Sequence, residues 1–357
     1  MTDTTGGVCM EPFLQKRLLQ SLEHLKRQDL PRFHVVMLPD FFIDHFVCFE
    51  SVEKTCAAIK SIAAQGGGNL PGVIQRIHQG GNAANTALGL ARLGLSTHLI
   101  CQTDPFGLHL LQFLLGKHTV DLSGVKTDGK LAMTTALEFQ DHFENIMIGD
   151  PGSVASFAFE TLNDHDRELI TSANLVGVTN WNLNRFGTDL ACKVFATAKK
   201  QNVRTFFDSG DPSPRRPDIP ELIQKVLMNP SVDVFGLNEN ELNHYSNSVN
   251  KTQEDMITAV ESLKKKVPAR IDFHTALLSS SVSGTTTVVP TIPVSTIYRS
   301  TGAGDAWNAA DIFADLLGFS DDERLLFANI CAGQYISSSD MGHSTIDMVI
   351  NYIKNNL

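Results

Sequence analysis

Cysteine is scarce and scattered: six in 357 residues (Cys9, Cys48, Cys56, Cys101, Cys192 and Cys331), with no C-x-x-C pair. Neither a disulfide framework nor a thiolate metal knuckle is encoded, and several of the six stand inside apolar strings, where a free thiol acts as a small hydrophobe. A reduced, cytoplasmic chain is expected. No apolar run reaches the roughly 18 residues of a membrane span, and polar residues precede the first apolar stretch, so neither a signal peptide nor a membrane partner is expected. Positive charge is also in short supply: 29 Lys and Arg against 39 Asp and Glu leave a net charge of -10. Without a diffuse positive field a phosphate backbone has nothing to hold it, and no nucleic-acid partner is expected. The basic cluster Lys264, Lys265 and Lys266 falls late in a helical pattern, where lysines suit the C-terminal dipole and solvent. Asn250-Lys-Thr matches a glycosylation acceptor, but without a secretory route it is a chance match. Repeats and low-complexity tracts are missing. So are H-E-x-x-H, G-x-S-x-G, the phosphate loop G-x-x-x-x-G-K-[ST], and a G-x-G-x-x-G after a strand, which argues against zinc peptidases, serine hydrolases, P-loop folds and dinucleotide sites.

What is present describes an ordinary globular protein, 42% hydrophobic and 19% charged, long enough for one large α/β domain or two smaller ones. Residues 11–30 alternate leucines with charged residues like an amphipathic helix, an N-terminal extension (residues 1–32) ahead of a domain spanning 33–357. The short apolar run at 33–38, bounded by Pro31 and Pro39, reads as a buried strand. Residues 45–49 are extended, 51–64 helical, and the glycine-rich stretch 65–72 breaks regular structure. A helix at 83–93 stops at Gly94 before a strand at 97–101. Residues 130–139 and 145–148 look like two strands separated by residues 140–144. From there strands at 175–179, 204–207, 232–237 and 271–278 alternate with helices at 190–200, 219–227 and 254–266, and residues from 301 onward are helical with interruptions at Gly318 and Gly342. That alternation predicts an α/β fold with a mainly parallel central sheet covered on both faces. Segments at about 44–50, 71–80 and 130–149 do not fit it and suit a small β-sheet lid over the ligand crevice.

Two constellations carry chemistry. In Ser300-Thr-Gly-Ala-Gly-Asp305, tight glycines at the start of a helix leave backbone N–H groups at its positive end, an anion site by geometry and dipole together. Asp305 there either works on a neighbouring hydroxyl or merely caps the helix. In Gly80-Gly-Asn-Ala-Ala-Asn85, two glycines permit close backbone approach and Asn85 offers both a donor and an acceptor, which suits a polyhydroxy ligand; the plainer reading is a glycine turn before a tightly packed helix. His274 reads as a strand histidine satisfied by its surroundings. Asn180-Trp181-Asn182 follows a strand end, where α/β sheets place ligands, and Trp181 is either a contact or packing.

Together these segments resemble the ribokinase-like (PfkB) carbohydrate kinases. The first family signature appears as Gly80-Gly-Asn-Ala-Ala-Asn-Thr-Ala-Leu-Gly-Leu-Ala-Arg-Leu-Gly94, the second as Thr301-Gly-Ala-Gly-Asp305. Thr103-Asp-Pro-Phe-Gly107, Asp208-Ser-Gly-Asp-Pro-Ser-Pro-Arg215 and Asn238-Glu-Asn-Glu241 resemble three further family segments in the right order. The resemblance implies a three-layer sandwich with a β-sheet lid, ATP and Mg²⁺ as cofactors, and a sugar, sugar acid or nucleoside as partner of a monomer or lid-mediated homodimer. It implies Asp305 as general base, with the N–H groups of Gly302, Ala303 and Gly304 as anion hole. Asp44 would grip acceptor hydroxyls alongside Gly80, Gly81 and Asn85, with Asp40 as rival. Asn238 and Glu241 would order phosphates and Mg²⁺ through water, unless they form an exposed polar turn. The usual nucleotide turn is replaced by residues 274–284, leaving Thr275 and Gly284 as its matches, and Asn329 aligns with adenine-contacting positions or is an exposed helical Asn. Arg299 stands where many relatives carry an acidic residue of a monovalent-cation site, and Asp311 where an apolar residue is usual. The expected function is ATP-dependent phosphorylation of a hydroxymethyl group. Its rivals are a nucleoside kinase of the same family, a non-catalytic sugar-binding relative and, more distantly, a dehydrogenase.

Overall fold

The computed structural model describes residues 12–27, 33–116, 120–139, 144–246, 252–339 and 342–357; the expectations on Cys9, Pro31, residues 140–143 and Asn250 lie outside them. Fifteen strands are described: β1 (His34–Leu38), β2 (Phe42–Phe49), β3 (Ile74–Gly80), β4 (Ser96–Leu99), β5 (Cys101–Gln102), β6 (Val120–Asp121), β7 (Val125–Lys126), β8 (Ala132–Phe139), β9 (Glu144–Asp150), β10 (Leu175–Val178), β11 (Arg204–Asp208), β12 (Val234–Asn238), β13 (Arg270–His274), β14 (Leu278–Val282) and β15 (Thr286–Pro290). The helices are α1 (Pro12–Lys26), α2 (Val52–Ala64), α3 (Asn82–Arg92), α4 (Pro105–Leu115), α5 (Asp164–Ser172), α6 (Gly187–Lys199), α7 (Ile219–Leu222), α8 (Glu239–Ser246), α9 (Gln253–Lys264), α10 (Ala303–Leu316), α11 (Asp321–Ile336) and α12 (Ile346–Asn356).

Strands such as Val35 to Leu38 in β1 and all of β10 are buried along both faces, as continuous apolar runs in a parallel sheet must be. They form a nine-stranded sheet in the order β15-β14-β13-β12-β11-β10-β1-β4-β6. The pairs from β6 to β13 are parallel, and β14 and β15 close the edge antiparallel. One core layer joins α1, α3, α10, α11 and α12; another joins α5 to α9 on the opposite face. The result is the expected three-layer α/β sandwich. No helix among the described residues is long and apolar enough to cross a membrane.

The segments that broke the alternation pair into a second sheet, β3-β2-β8-β9. In it Asp44 stands opposite His78 of β3 and Thr134 of β8. The helix of the expected extension belongs to the core: Leu18 and Leu22 are fully buried, Arg17 pairs with Asp322 at 2.6 Å and Ser21 donates to Glu323 at 2.9 Å. Residues 103–107, read only as a turn, lead into α4, with Pro105 at its first position and Asp104 accepting from the Gly107 amide, a standard helix start signal.

The strand expected over 271–278 is two strands. β13 ends at His274, and a turn follows in which Thr275 Oγ1 accepts from the amides of Leu277 and Leu278. β14 then runs back along β13. Thr275 and Gly284 therefore lie beyond opposite ends of β14, separated by about 17 Å of strand, and do not share one nucleotide turn. Ser279, Ser280 and Ser281 are fully buried, and Ser281 faces an ionic interior, donating to Asp272 at 2.7 Å. Arg324 of α11, 1% exposed, pairs with Asp311 of α10 and with Asp272 of β13 at 3.1 Å, and donates to Ser281 Oγ at 2.8 Å. Against the upward push of burial, Arg324 and Arg270 hold Asp272 below the ordinary carboxylate range. Asp311, anomalous as a sequence position, is thus the partner that a buried arginine requires. Arg324→Ala is expected to destabilise the fold by about 3–5 kcal/mol, the cost of taking from buried Asp311 its close cation and from Asp272 one of its two, measured as a lower urea midpoint.

Candidate active site

The site is assembled where the C-terminal ends of β1, β10, β11, β12 and β13 meet the N-termini of α3 and α10, with the lid alongside. α10 opens on Gly302, whose φ of +83° is left-handed and whose Cβ would fall 2.4 Å from Tyr335 Oη, so only glycine fits. The Ala303 amide donates to the Ser300 carbonyl at 3.1 Å. That bond closes the turn and engages the Ala303 amide, one of the three expected to meet an anion. Asp305, on the first turn of α10 and 8% exposed, accepts from Asn85 Nδ2 at 2.9 Å. Burial pushes its carboxyl well above the ordinary range, and Asp208, Asp40 and Asp44 add to the push.

Asn85 itself accepts from Gln79 Nε2 at 3.2 Å, so the β3–α3 corner holds the amide that holds Asp305. The two glycines of that corner make room for carboxylates. A Cβ at Gly80 would fall 2.3 Å from the Asp44 carboxyl, and one at Gly81, where φ is +94°, would fall 2.9 Å from Asp40 Oδ2. The two aspartates are placed differently. Asp40 is fully buried and accepts from Thr179 Oγ1 at 3.0 Å, Asn180 Nδ2 at 2.8 Å and the Ala83 amide at 3.1 Å. Asp44 sits on the lid beside Gly80, and burial, opposed by Thr134 and reinforced by Asp40, lifts its carboxyl to about 6.

Across the sheet ends, Asn238 and Glu241 form a closed clasp. Glu241 accepts from the Asn238 amide and from its Nδ2, both at 2.9 Å, while Asn238 Oδ1 accepts from the Glu241 amide at 3.0 Å. Glu241 is 4% exposed, which removes the exposed-turn reading, and burial together with Asp208 raises it well above the usual carboxylate range. Asp208 accepts from Asn308 Nδ2 at 2.6 Å and from the Gly210 amide at 2.8 Å. Asn308 went unnoticed in the sequence although it lies three residues past Asp305, on the same helical face. Among the described residues no group of three or more His, Cys, Asp or Glu could hold a metal. With both Glu241 oxygens already accepting, the arrangement fits a cation kept by water and ligand oxygens, as Mg²⁺ prefers.

Other expected contacts are interior. Asn329 is 3% exposed; its Oδ1 accepts from Trp307 Nε1 at 2.9 Å and its Nδ2 donates to the Pro290 carbonyl at 3.1 Å, so neither alternative for it holds. Trp181 is packing, 1% exposed with Nε1 donating to Thr188 at 2.9 Å. Thr275 and Gly284 are accounted for by the turns around β14. His274 lies at the end of β13 with its ring 4.8 Å from that of Trp307 and 3.4 Å from where a Gly304 Cβ would be; burial lowers it to about 4, so it is neutral at physiological pH.

A family model described as pfkB family carbohydrate kinase matches residues 47–347. The chain belongs to that family. ATP-dependent phosphoryl transfer is the family's reaction, with Mg²⁺ its usual companion. A Pyrococcus horikoshii protein provisionally named a sugar kinase is 29% identical over 239 residues, 65% of this chain and 72% of that one. Among solved structures, Arabidopsis thaliana ribokinase complexed with ribose and ATP is similar with a TM-score of 0.73 at 21% identity, covering 91% of this chain and 99% of that one. The Methanocaldococcus jannaschii nucleoside kinase gives 0.66 at 16% identity, covering 90% and 98%. These likenesses establish the ribokinase-like fold.

The raised carboxylates have a stability signature. Asp44 binds its proton more tightly in the folded than in the unfolded chain, so its favourable contribution is complete below about pH 4 and is lost as pH rises through about 6. Asp44→Asn is therefore expected to raise the melting temperature at pH 8, by a shift on the order of 2–3 kcal/mol, relative to wild type in a thermal melt; at pH 4 the gain should vanish.

Proposed function

We propose that the chain is a cytoplasmic kinase that transfers the γ-phosphoryl group of ATP to a hydroxymethyl group of a sugar or sugar-like acceptor. The observation that carries this reading is the buried Asp305, held by Asn85 on the first turn of α10 behind the glycine turn. Asp305 accepts the proton of the acceptor hydroxyl. The Gly302 and Gly304 amides, at the positive end of α10, meet the charge that develops on the transferring phosphoryl group. Asp44 and Asn85 orient the acceptor hydroxyls from the lid side. Asn238 and Glu241 order nucleotide phosphates and a water-shelled Mg²⁺, which neutralises phosphate charge. Phosphoryl transfer asks little covalent help, so positioning and water exclusion by the lid complete the set. The five described cysteines are unpaired, in keeping with a reducing compartment.

ADP formation with Mg-ATP over a panel of sugars, sugar acids and nucleosides is the direct test. One acceptor is expected to drive turnover, and Asp305→Asn to cut kcat by roughly three orders of magnitude. A variant that keeps its rate removes the base. Because the active base is the unprotonated carboxylate and its pKa is raised, kcat should fall on acidification with a limb well above pH 4.

Of the two expected states, monomer or lid-mediated homodimer, the lid surface favours the homodimer. By strand alternation Ile77, Met133, Ile146 and Ile148 lie on the lid face opposite Asp44, and all four are exposed. A second lid would cover them. Ile77→Asp with Ile148→Asp is expected to halve the mass seen by sedimentation equilibrium.

A further inference from the structure

We propose that the acceptor carries an anionic group, a carboxylate or a phosphate ester, remote from its reacting hydroxyl, and that Arg76, His78 and Arg299 read it. The proposal rests on the kinase reading above and names its substrate class.

β3 runs antiparallel to β2, placing His78 opposite Asp44 and Arg76 opposite Phe46. Opposed residues share a face, so Asp44, His78 and Arg76 line one surface of the lid. That surface is turned toward the catalytic helix, because Asp44 is buried there and acts on Asp305. From the body of the protein comes Arg299, its guanidinium 4.1 Å over the ring of Tyr335, whose hydroxyl abuts Gly302. Burial lowers the His78 ring first, and the charges of Arg299 and then Arg76 act on it in the same direction. Phe46 steadies the ring in an edge contact at 5.6 Å. Two guanidiniums and a neutral imidazole donor thus border the site, Arg76 and His78 from the lid strand and Arg299 from the body. Glu138 of β8, on the same lid face and accepting from Cys48 at 3.1 Å, is the acidic counterweight.

A neutral polyol makes no use of these groups, since Asp44 and Asn85 already supply acceptor and donor for hydroxyls. The site otherwise carries Asp40, Asp44 and Asp305, which repel an anion unless cations stand close to it. Position along the strand sets where the anion falls. His78 and Arg76 lie two and four residues from Gly80, about 7 and 13 Å along β3, toward the far end of a five- or six-carbon acceptor from Asp305. Planar guanidiniums suit both carboxylate and phosphate oxygens.

The test compares neutral pentoses and hexoses with their aldonates and with their phosphomonoesters, by calorimetric binding to the intact protein and by ADP formation with Mg-ATP. One anionic series is expected to bind at least tenfold more tightly than the neutral series, which also tells carboxylate from phosphate. Arg76→Met and His78→Gln should each erode that preference by tenfold or more, with the loss seen in acceptor KM. Equal or tighter binding of the neutral sugars, no binding by any series, or a rise in KM for ATP in place of that for the acceptor would each overturn the proposal. Binding without turnover, with the anionic preference intact, would instead count against the kinase reading and leave the anion site standing.

Discussion

Asp40 lies out of reach of water, and its carboxylate is surrounded by donors from two other chain segments: Thr179 and Asn180 beyond β10, and the Ala83 amide at the start of α3. A buried carboxylate left without those donors costs several kcal/mol, so the end of β1, the end of β10 and the first turn of α3 are locked into one geometry. Everything catalytic is hung from that lock. α3 carries Asn85, Asn85 holds Asp305, and the corner before α3 must be glycine because Asp40 and Asp44 occupy the space that side chains would take. Asn180 adopts a left-handed backbone, φ +55°, to deliver its amide to the same carboxylate.

Around this lock the protein concentrates like charge. Asp40, Asp44, Asp208, Glu241 and Asp305 are all buried or nearly so, and each of the four aspartates raises at least one other member of the cluster. Stability alone would not select such a cluster. It makes sense as a site whose empty state is electrostatically uncomfortable, relieved when hydroxyl groups, a divalent cation or cationic side chains approach. The second ionic centre, Arg324 with Asp311 and Asp272, is of the opposite kind: opposite charges, closed to solvent and tying α10 and α11 to β13. One network concentrates like charge at the head of α10, and the other holds that helix against α11 and β13.

Much of this was legible in the residues. Apolar runs and glycine breaks located the parallel sheet, and the segments that failed to alternate turned out to be the lid strands. The glycine turn with its aspartate marked the head of α10. What escaped was whatever depends on partners far along the chain. Asp40 and Asp44 are four residues apart and chemically identical; only Asn180, 140 positions away from Asp40, separates their roles. Asn329 looked like a surface amide because its partner Trp307 lies on another helix. The serines of β14 looked like a loop because polar residues seldom fill an interior strand, and the arginine that explains Ser281 comes 43 residues later. Local pattern reveals elements, whereas buried polar networks are properties of the assembled fold.

α1 offers a last consequence. Its leucines lie in the same core layer as α11 and α12, and its polar face reaches Asp322, Glu323 and, through Glu23, Lys354. Among the first described residues to leave the ribosome, this helix finds its seat only when the last have followed, some 300 positions later. Until then its apolar stripe is open, and an unpaired amphipathic helix is the kind of surface that chaperones hold. Seating of α1 therefore waits on α11 and α12, so this part of the core is closed by contacts that span some 300 positions.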